Sequence, residues 1–374
     1  MRLTGLTLHV AELPLVTPFT TSFGTQTVRR ALLLEANFDI DGDLITGWGE
    51  SVAGENPLYS SEYVEGAIDI IHRWLVPTLV SAGAFVAESV AEILRPIVGH
   101  NMAKAAIEMA ALEAQLRHRE ISFADYLGAT RRTVPSGVSV GIQPTVPGLI
   151  DTVAGYLDQG YARIKLKIKP DFDLAQVRAV RENFGQDVLL QVDANAAYTL
   201  ADTPRLKRLD EFELLMIEQP LGEADLRQHA KLAASIATPI CLDESIVSAE
   251  AAADAIMLGA ASIINIKPGR VGGYLEARRI HDLARAHGVA VWCGGMLETG
   301  LGRAANIALA ALPGFTLPGD ISGSDRFYAE DITTETITMI NGTVGVPTGT
   351  AFGVEIDRDK LERFSTLRIP IALP

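Results

Sequence analysis

Five stretches decide the fold: Arg163-Ile164-Lys165-Leu166-Lys167, Leu189-Leu190-Gln191-Val192-Asp193, Leu214-Leu215-Met216-Ile217-Glu218, Pro239-Ile240-Cys241-Leu242-Asp243 and Ile263-Ile264-Asn265-Ile266-Lys267. Each is a short, mostly apolar run closing on a charged residue, and helix-like stretches such as 175–184 and 249–258 fill the intervals. Working outward, one residue near the end of each candidate strand gives Ser139, Lys167, Asp193, Glu218, Asp243, Lys267, Gly295 and Asp320, spaced 24 to 28 residues apart. Eight strands at this spacing predict a (β/α)8-type barrel. The main competitor, an open doubly wound sheet, rarely holds eight such regular units.

The first third reads differently. Leu6, Leu8 and Val10 alternate, as do positions around 31–40, and Asp41-Gly42 between Ile40 and Leu44 signals a hairpin. Helical periodicity covers about 61–75 and about 86–116. After Asp320 no full helical repeat follows, and 330–360 turns strand-like again. The expected organisation is an α+β domain over 1–130, a barrel over 131–329, and a tail, 330–374, that returns to complete the N-terminal sheet.

Composition narrows the function. The chain has 374 residues, 48% hydrophobic and 21% charged, which excludes a disordered or fibrous protein. The net charge of −14 disfavours nucleic acid. Apolar runs are broken before 18 residues, so no membrane helix is expected, and the opening residues carry no signal-peptide pattern. Two cysteines, Cys241 and Cys293, sit in apolar strands as core residues, which fits a reduced, cytoplasmic protein.

Residues at the C-terminal ends of barrel strands gather at one mouth. Asp193, Glu218 and Asp243 end consecutive strands, each 25 residues from the next. Three converging carboxylates repel one another unless a cation sits between them, and oxygen donors suit Mg2+ better than Zn2+. Glu244 faces the other way by strand parity and is left out of the metal shell. Lysines flank the triplet: Lys165 and Lys167 share one face of the preceding strand, and Lys267 ends the following one. Lys167 and Lys267 lie four strands apart in an eight-stranded ring, on opposite sides of the mouth. That pattern suits removal of a proton α to a carboxylate, with the metal stabilising an enediolate. A lysine titrates near about 10.4, and nearby positive charge favours the neutral amine that acts as base.

The residues resemble the enolase superfamily, in its muconate-lactonizing-enzyme subgroup, and within it the o-succinylbenzoate synthase / N-acylamino acid racemase family. The likeness is carried by Lys165-Leu166-Lys167, Asp193-Ala194-Asn195, Ile217-Glu218-Gln219-Pro220, Leu242-Asp243-Glu244-Ser245, Lys267-Pro268-Gly269-Arg270 and Trp292-Cys293-Gly294-Gly295-Met296, with Pro18-Phe19 through Gly24 and Pro57 through Tyr63. It covers essentially the whole chain. A lysine base paired with Mg2+ is an established device of that superfamily. The resemblance implies a TIM-like (β/α)7β barrel under a capping domain. It implies Mg2+, with Mn2+ as a substitute, on Asp193, Glu218 and Asp243, and Lys167 and Lys267 as the acid/base pair. It also implies a small-molecule carboxylate substrate, a homo-oligomer and, for the synthase, a dehydration in menaquinone biosynthesis. Arg270 is associated with the racemase branch; its bland alternative is a solvated loop arginine.

Other positions are open to two readings. Lys165 either bonds the substrate carboxylate and tunes Lys167, or is a buried ion pair. Asn195 either supports the metal site or makes a turn. Gly294 and Gly295 allow a close approach to a ligand. Ser139, Met296 and Leu297 are pocket-wall candidates, and Glu298 a capping residue. Phe19 and Phe23 lie in a Thr/Ser/Gly-rich loop that reads as a lid. The synthase reaction ranks first, with N-succinyl amino acid racemisation as companion, ahead of a dedicated racemase. A muconate cycloisomerase and a dipeptide epimerase rank lower; the epimerase expects Asp-x-Asp where this chain has only Asp320. Two unrelated alternatives are a Schiff-base aldolase on Lys167 or Lys267, and a barrel that binds without catalysis.

Overall fold

The N-terminal strands belong to a four-stranded antiparallel sheet that is buried on both faces at its middle, where residues 8–11 and 31–34 are all buried. The structure, a computed structural model, describes residues 1–21 and 24–374. Strands β1 (Arg2–Thr21), β2 (Gly24–Ile40) and β3 (Asp43–Ser51) form a meander, and Asp41 and Gly42, both with positive φ, make the tight turn between the last two. The sheet packs on the helix Asn101–Arg119, whose side chains from Ala105 to Leu116 are all buried. This helix is one of several pieces in 86–116 rather than one long helix. Ala87–Ser89 and Val90–Leu94 precede it, and Pro96, Gly99 and a left-handed His100 interrupt the path.

After the short strand β4 (Thr133–Pro135) come seven parallel strands: β5 (Gly137–Val140), β6 (Arg163–Lys167), β7 (Leu189–Asp193), β8 (Met216–Glu218), β9 (Ile240–Leu242), β10 (Ile263–Ile266) and β11 (Ala290–Cys293). They pair in sequence order, as a barrel wall requires. The expected eighth strand is reduced to bridges: Gly137 N donates to Gly319 O at 2.7 Å, and Asp320 N to Cys293 O at 3.0 Å. Pro318 lacks a donor, and a Cβ on Gly319 would stand 2.6 Å from Cys293 O, so this segment closes the ring without a regular ladder.

Period-two alternation sorts the barrel residues. Ile164, Leu166, Leu190, Val192, Ile217, Leu242, Ile264 and Ile266 turn outward into the main core. Met216, Cys241, Ile263 and Trp292 form a second apolar cluster. Each of the first three lies two residues before a polar residue at the mouth, so the cluster sits one layer below it.

The tail returns to the first sheet, through its last strand. Strand β14 (Ser365–Ile371) pairs antiparallel with β1. Within 330–360 the strand-like residues form a small hairpin, β12 (Met339–Ile340) and β13 (Thr343–Gly345), turning at Asn341-Gly342 and pairing with β4 instead. Hairpin pairing is local, so this pair is satisfied before the chain reaches the N-terminal sheet.

Two buried carboxylates tie sheet and helix to the barrel. Glu50, near the end of β3, accepts from Thr299 N at 2.9 Å and Gly302 N at 3.1 Å, at the start of the helix Gly300–Ala310. Glu108, on the helix Asn101–Arg119, accepts from Leu275 N at 3.1 Å, at the start of the helix Tyr274–Ala286. Anions at helix N-termini are favoured, but burial pushes both carboxyls up to about 7. For Glu108 the folded value lies above the ordinary 4.5, so its contribution to stability is full below that pH and is lost as pH rises through about 7. Glu108→Gln should remove most of an expected loss of about 3 kcal/mol across that window. Urea denaturation of both proteins at pH 4.5 and 7.5 measures this; parallel pH profiles would contradict it.

Candidate active site

The β6–β7–β8 ladder sets Lys167 opposite Asp193 and Asp193 opposite Glu218. Asp243 directly follows β9, and Lys267 directly follows β10. Each of the five predicted residues therefore reaches the same barrel mouth. Lys165 Nζ donates to Glu218 Oε2 at 3.0 Å and lies 2.6 Å from Asp320 Oδ2 and 3.5 Å from Asp193 Oδ2. Lys167 Nζ donates to Asp193 Oδ2 at 2.6 Å and to Asn195 Oδ1 at 2.7 Å. Across the mouth, Lys267 Nζ donates to Asp243 Oδ2 and to Tyr59 Oη, both at 2.8 Å. Gly294 makes that approach sterically open, since a Cβ there would lie 2.8 Å from Lys267 Cε and 2.3 Å from Asn265 Oδ1.

These groups border a cavity of about 540 Å3. Lys165, Lys167, Asp193 and Lys267 line it, and so do Ser139, Asn195, Gly295, Met296 and Phe19. Glu218 and Asp243 are not on its wall and meet it through the lysines. Phe19 belongs to the paired end of β1, opposite Gln26 of β2, not to an irregular loop. Phe23 lies outside the described residues.

Several partners were legible but not singled out. Asn265 has the same strand parity as Lys267, and its Nδ2 donates to both Glu218 Oε1 and Asp243 Oδ1 at 2.9 Å. Gln191 shares parity with Asp193 and donates to Glu218 Oε2 at 2.7 Å. Asp320, used above to mark a strand end and to rank the epimerase lower, pairs with Lys165 and Arg163. Tyr59 arrives from the N-terminal segment, where no periodicity places it at a barrel mouth. Of the two readings of Arg270, the solvated loop arginine is set aside: it is buried, bonds Asp243, and donates to Asn265 O at 2.7 Å. One expectation needs correction. Glu244 does not face away from the site. Strand geometry stops at Leu242, parity no longer applies, and Glu244 accepts from Asn195 Nδ2 at 3.0 Å.

The electrostatics are those of mixed charges removed from water. Burial, reinforced by the Asp193 charge, pushes the Glu218 carboxyl up to about 8. Burial, then Asp243 and Asp193, push Glu244 to about 7. At Asp243 burial acts in the same sense, but Arg270 and Lys267 outweigh it and hold the carboxyl well below its usual range. Burial would lower the pKa of Lys267, yet Asp243 and Tyr59 overcome it and hold the ammonium above its ordinary range. The direction is opposite to the expected lowering, which included a cation's positive charge.

The enolase C-terminal domain-like family matches residues 148–360, and the mandelate racemase / muconate lactonizing enzyme N-terminal domain family matches residues 5–128. This chain belongs to the enolase superfamily. An N-succinylamino acid racemase from Amycolatopsis sp is 59% identical over 369 residues, 99% of each chain. An o-succinylbenzoate synthase from Geobacillus kaustophilus is 47% identical, over 96% of this chain and 94% of that one. A solved structure of an enolase-superfamily member from Listeria innocua superposes with a TM-score of 0.95 at 41% identity, covering both chains fully. The chain is thus an enzyme of the o-succinylbenzoate synthase / N-succinylamino acid racemase family, with the barrel and antiparallel sheet of its superfamily.

Superfamily membership implies a divalent metal ion, and the side chains at the mouth bear on whether one fits. Among the described residues no three His, Cys, Asp or Glu side chains are arranged to hold a metal ion; the carboxylates face the amines and Asn265 instead. Their chemistry nevertheless suits a hard cation. The carboxylates supply oxygen donors alone, and Glu218 stays above neutrality in its preference for a proton even with Lys165 beside it. It lacks positive charge, which is what a cation supplies.

Asp320 anchors the opposite wall. Burial disfavours its ionisation, but Lys165 and then Arg163 hold its carboxyl well below the usual range. Asp320→Asn leaves two buried cations short of a partner and should lower the unfolding free energy by about 3 kcal/mol. Urea denaturation at pH 7 measures it, and a change below about 1 kcal/mol would show that the pair contributes little.

Proposed function

We propose that this enzyme removes the proton α to a carboxylate, with Lys167 and Lys267 on the two faces of the substrate and Asp193, Glu218 and Asp243 as ligands of Mg2+ (or Mn2+). The observation that carries the reading is the placement of both lysines, from strands four apart in the ladder order, on the wall of one cavity, each touching one of those carboxylates. When bound, the ion supplies positive charge against the second negative charge that deprotonation places on the substrate carboxylate.

In racemisation of an N-succinyl amino acid, one lysine takes the Cα proton as a neutral amine. The C–H electron pair passes into the enediolate, and the other lysine, as an ammonium, returns a proton on the opposite face. In o-succinylbenzoate synthesis, Lys167 takes the α-proton, the β C–O bond breaks as C=C forms, and the hydroxyl leaves as water with the proton from Lys167. Lys267 stays protonated there and supports the enediolate by charge. Tyr59 Oη, 2.8 Å from Lys267 Nζ, is a partner for that ammonium. Ser139, Met296, Gly295 and Phe19, on the same wall, contact the remainder of the substrate, and Lys165 serves its carboxylate end. The two family names, at 59% and 47% identity, support one site performing both reactions.

Kinetics on the cyclohexadiene precursor of o-succinylbenzoate and on N-succinyl amino acids, side by side, test the proposal. Lys167→Ala should lower both rates by about a thousandfold or more with the fold intact; substantial residual turnover would refute its role as base. Lys267→Arg should end racemisation and keep part of the dehydration, because charge is retained; equal loss in both would remove the asymmetry. EDTA should abolish both activities and added Mg2+ restore them, whereas full activity in EDTA, or borohydride trapping of substrate on a lysine, would favour Schiff-base chemistry.

A further inference from the structure

Glu244 is 8% exposed and does not line the cavity. Its Oε1 accepts from Asn195 Nδ2 at 3.0 Å, and its Oε2 is buried without a hydrogen-bond partner among the described residues. The other end of the Asn195 amide, Oδ1, accepts from Lys167 Nζ at 2.7 Å. Asn195 is also fixed at its backbone. Its φ is 42°, a left-handed conformation that asparagine tolerates better than most residues, and its N–H donates to Asp193 Oδ1 at 3.0 Å.

An amide has two chemically unlike ends of nearly equal shape. An ammonium at Lys167 favours the oxygen by itself, but a neutral amine there accepts from the NH2 as readily as it donates to the oxygen. A carboxyl oxygen accepts from the NH2 end, so Glu244 selects the rotamer that presents oxygen to the lysine. We propose that Glu244 is a positioning residue for Lys167, acting through Asn195. An amide oxygen suits this role because it aligns the amine by a dipole without adding a net charge that would hold the proton on nitrogen. Lys267 is aligned separately, by Asp243 and Tyr59. Loss of Glu244 therefore breaks a hydrogen-bonded chain that reaches Lys167 alone, while at Lys267 it removes only a charge contribution smaller than those of Asp243 and Tyr59.

The inference rests on the two-base reading above, and its test separates the two. In the metal-loaded enzyme in D2O, NMR follows α-proton exchange from each enantiomer of an N-succinyl amino acid, and Lys167→Ala identifies the enantiomer served by Lys167. Glu244→Ala should slow exchange from that enantiomer by about tenfold or more, the usual scale for an outer-shell partner, and change the other by less than about twofold. Glu244→Gln keeps an acceptor oxygen in place and should recover most of the rate. In an Asn195→Ala background Glu244→Ala should add nothing, as expected of groups acting in series. Equal slowing of both enantiomers, or an undiminished effect without Asn195, would overturn the proposal. Wild-type enzyme that exchanges neither enantiomer would overturn the two-base reading itself, and this inference with it.

Discussion

The whole arrangement depends on burying carboxylates and amines together at the mouth of a closed barrel. A carboxylate taken out of water alone gives up its charge. Here Asp193, Glu218, Asp243 and Asp320 keep company with Lys165, Lys167, Lys267, Arg163 and Arg270. The compensation is uneven. Asp243 and Asp320 are well satisfied, whereas Glu218 is not, and that imbalance is where a divalent cation has most to contribute. Such a cluster survives only if the rest of the barrel stabilises it, and the outward-facing Val, Ile and Leu residues of every strand do so by packing under the helices.

The N-terminal sheet is more than a cover. Glu50 and Glu108 place their carboxyls against the first turns of two barrel helices, so the N-terminal part and the barrel are joined by hydrogen bonds at defined points and not by apolar contact alone. Tyr59 then has a fixed address from which to reach Lys267. A pocket wall built from both parts of the chain needs that rigidity, since a displacement of about 1 Å at the reacting groups is costly to catalysis.

The barrel and its five charged residues were legible because period-two strands and a spacing near 25 residues leave little freedom. The same parity contained Gln191 and Asn265, one step behind residues already identified, and a fuller use of it finds them. What failed did so where parity ends. Glu244 lies beyond its strand, in a turn whose direction depends on tertiary contacts, and folds back onto the cluster. The eighth strand was overread because spacing continued past the point where Pro318 and Gly319 permit a ladder. Tyr59 was invisible in principle, since only the docking of two sheets brings it near Lys267.

Two reactions from one constellation follow from how the lysines are held. Lys267 is held by a carboxylate and a phenol oxygen. Lys167 faces one carboxylate and a neutral amide. Once positive charge offsets Asp193, the amide is what remains to orient Lys167. A reaction needing one base and one fixed cation, and a reaction needing two exchanging bases, then differ only in whether Lys267 releases its proton. That choice lies with the groups around Lys267, Asp243, Arg270 and Tyr59 among them.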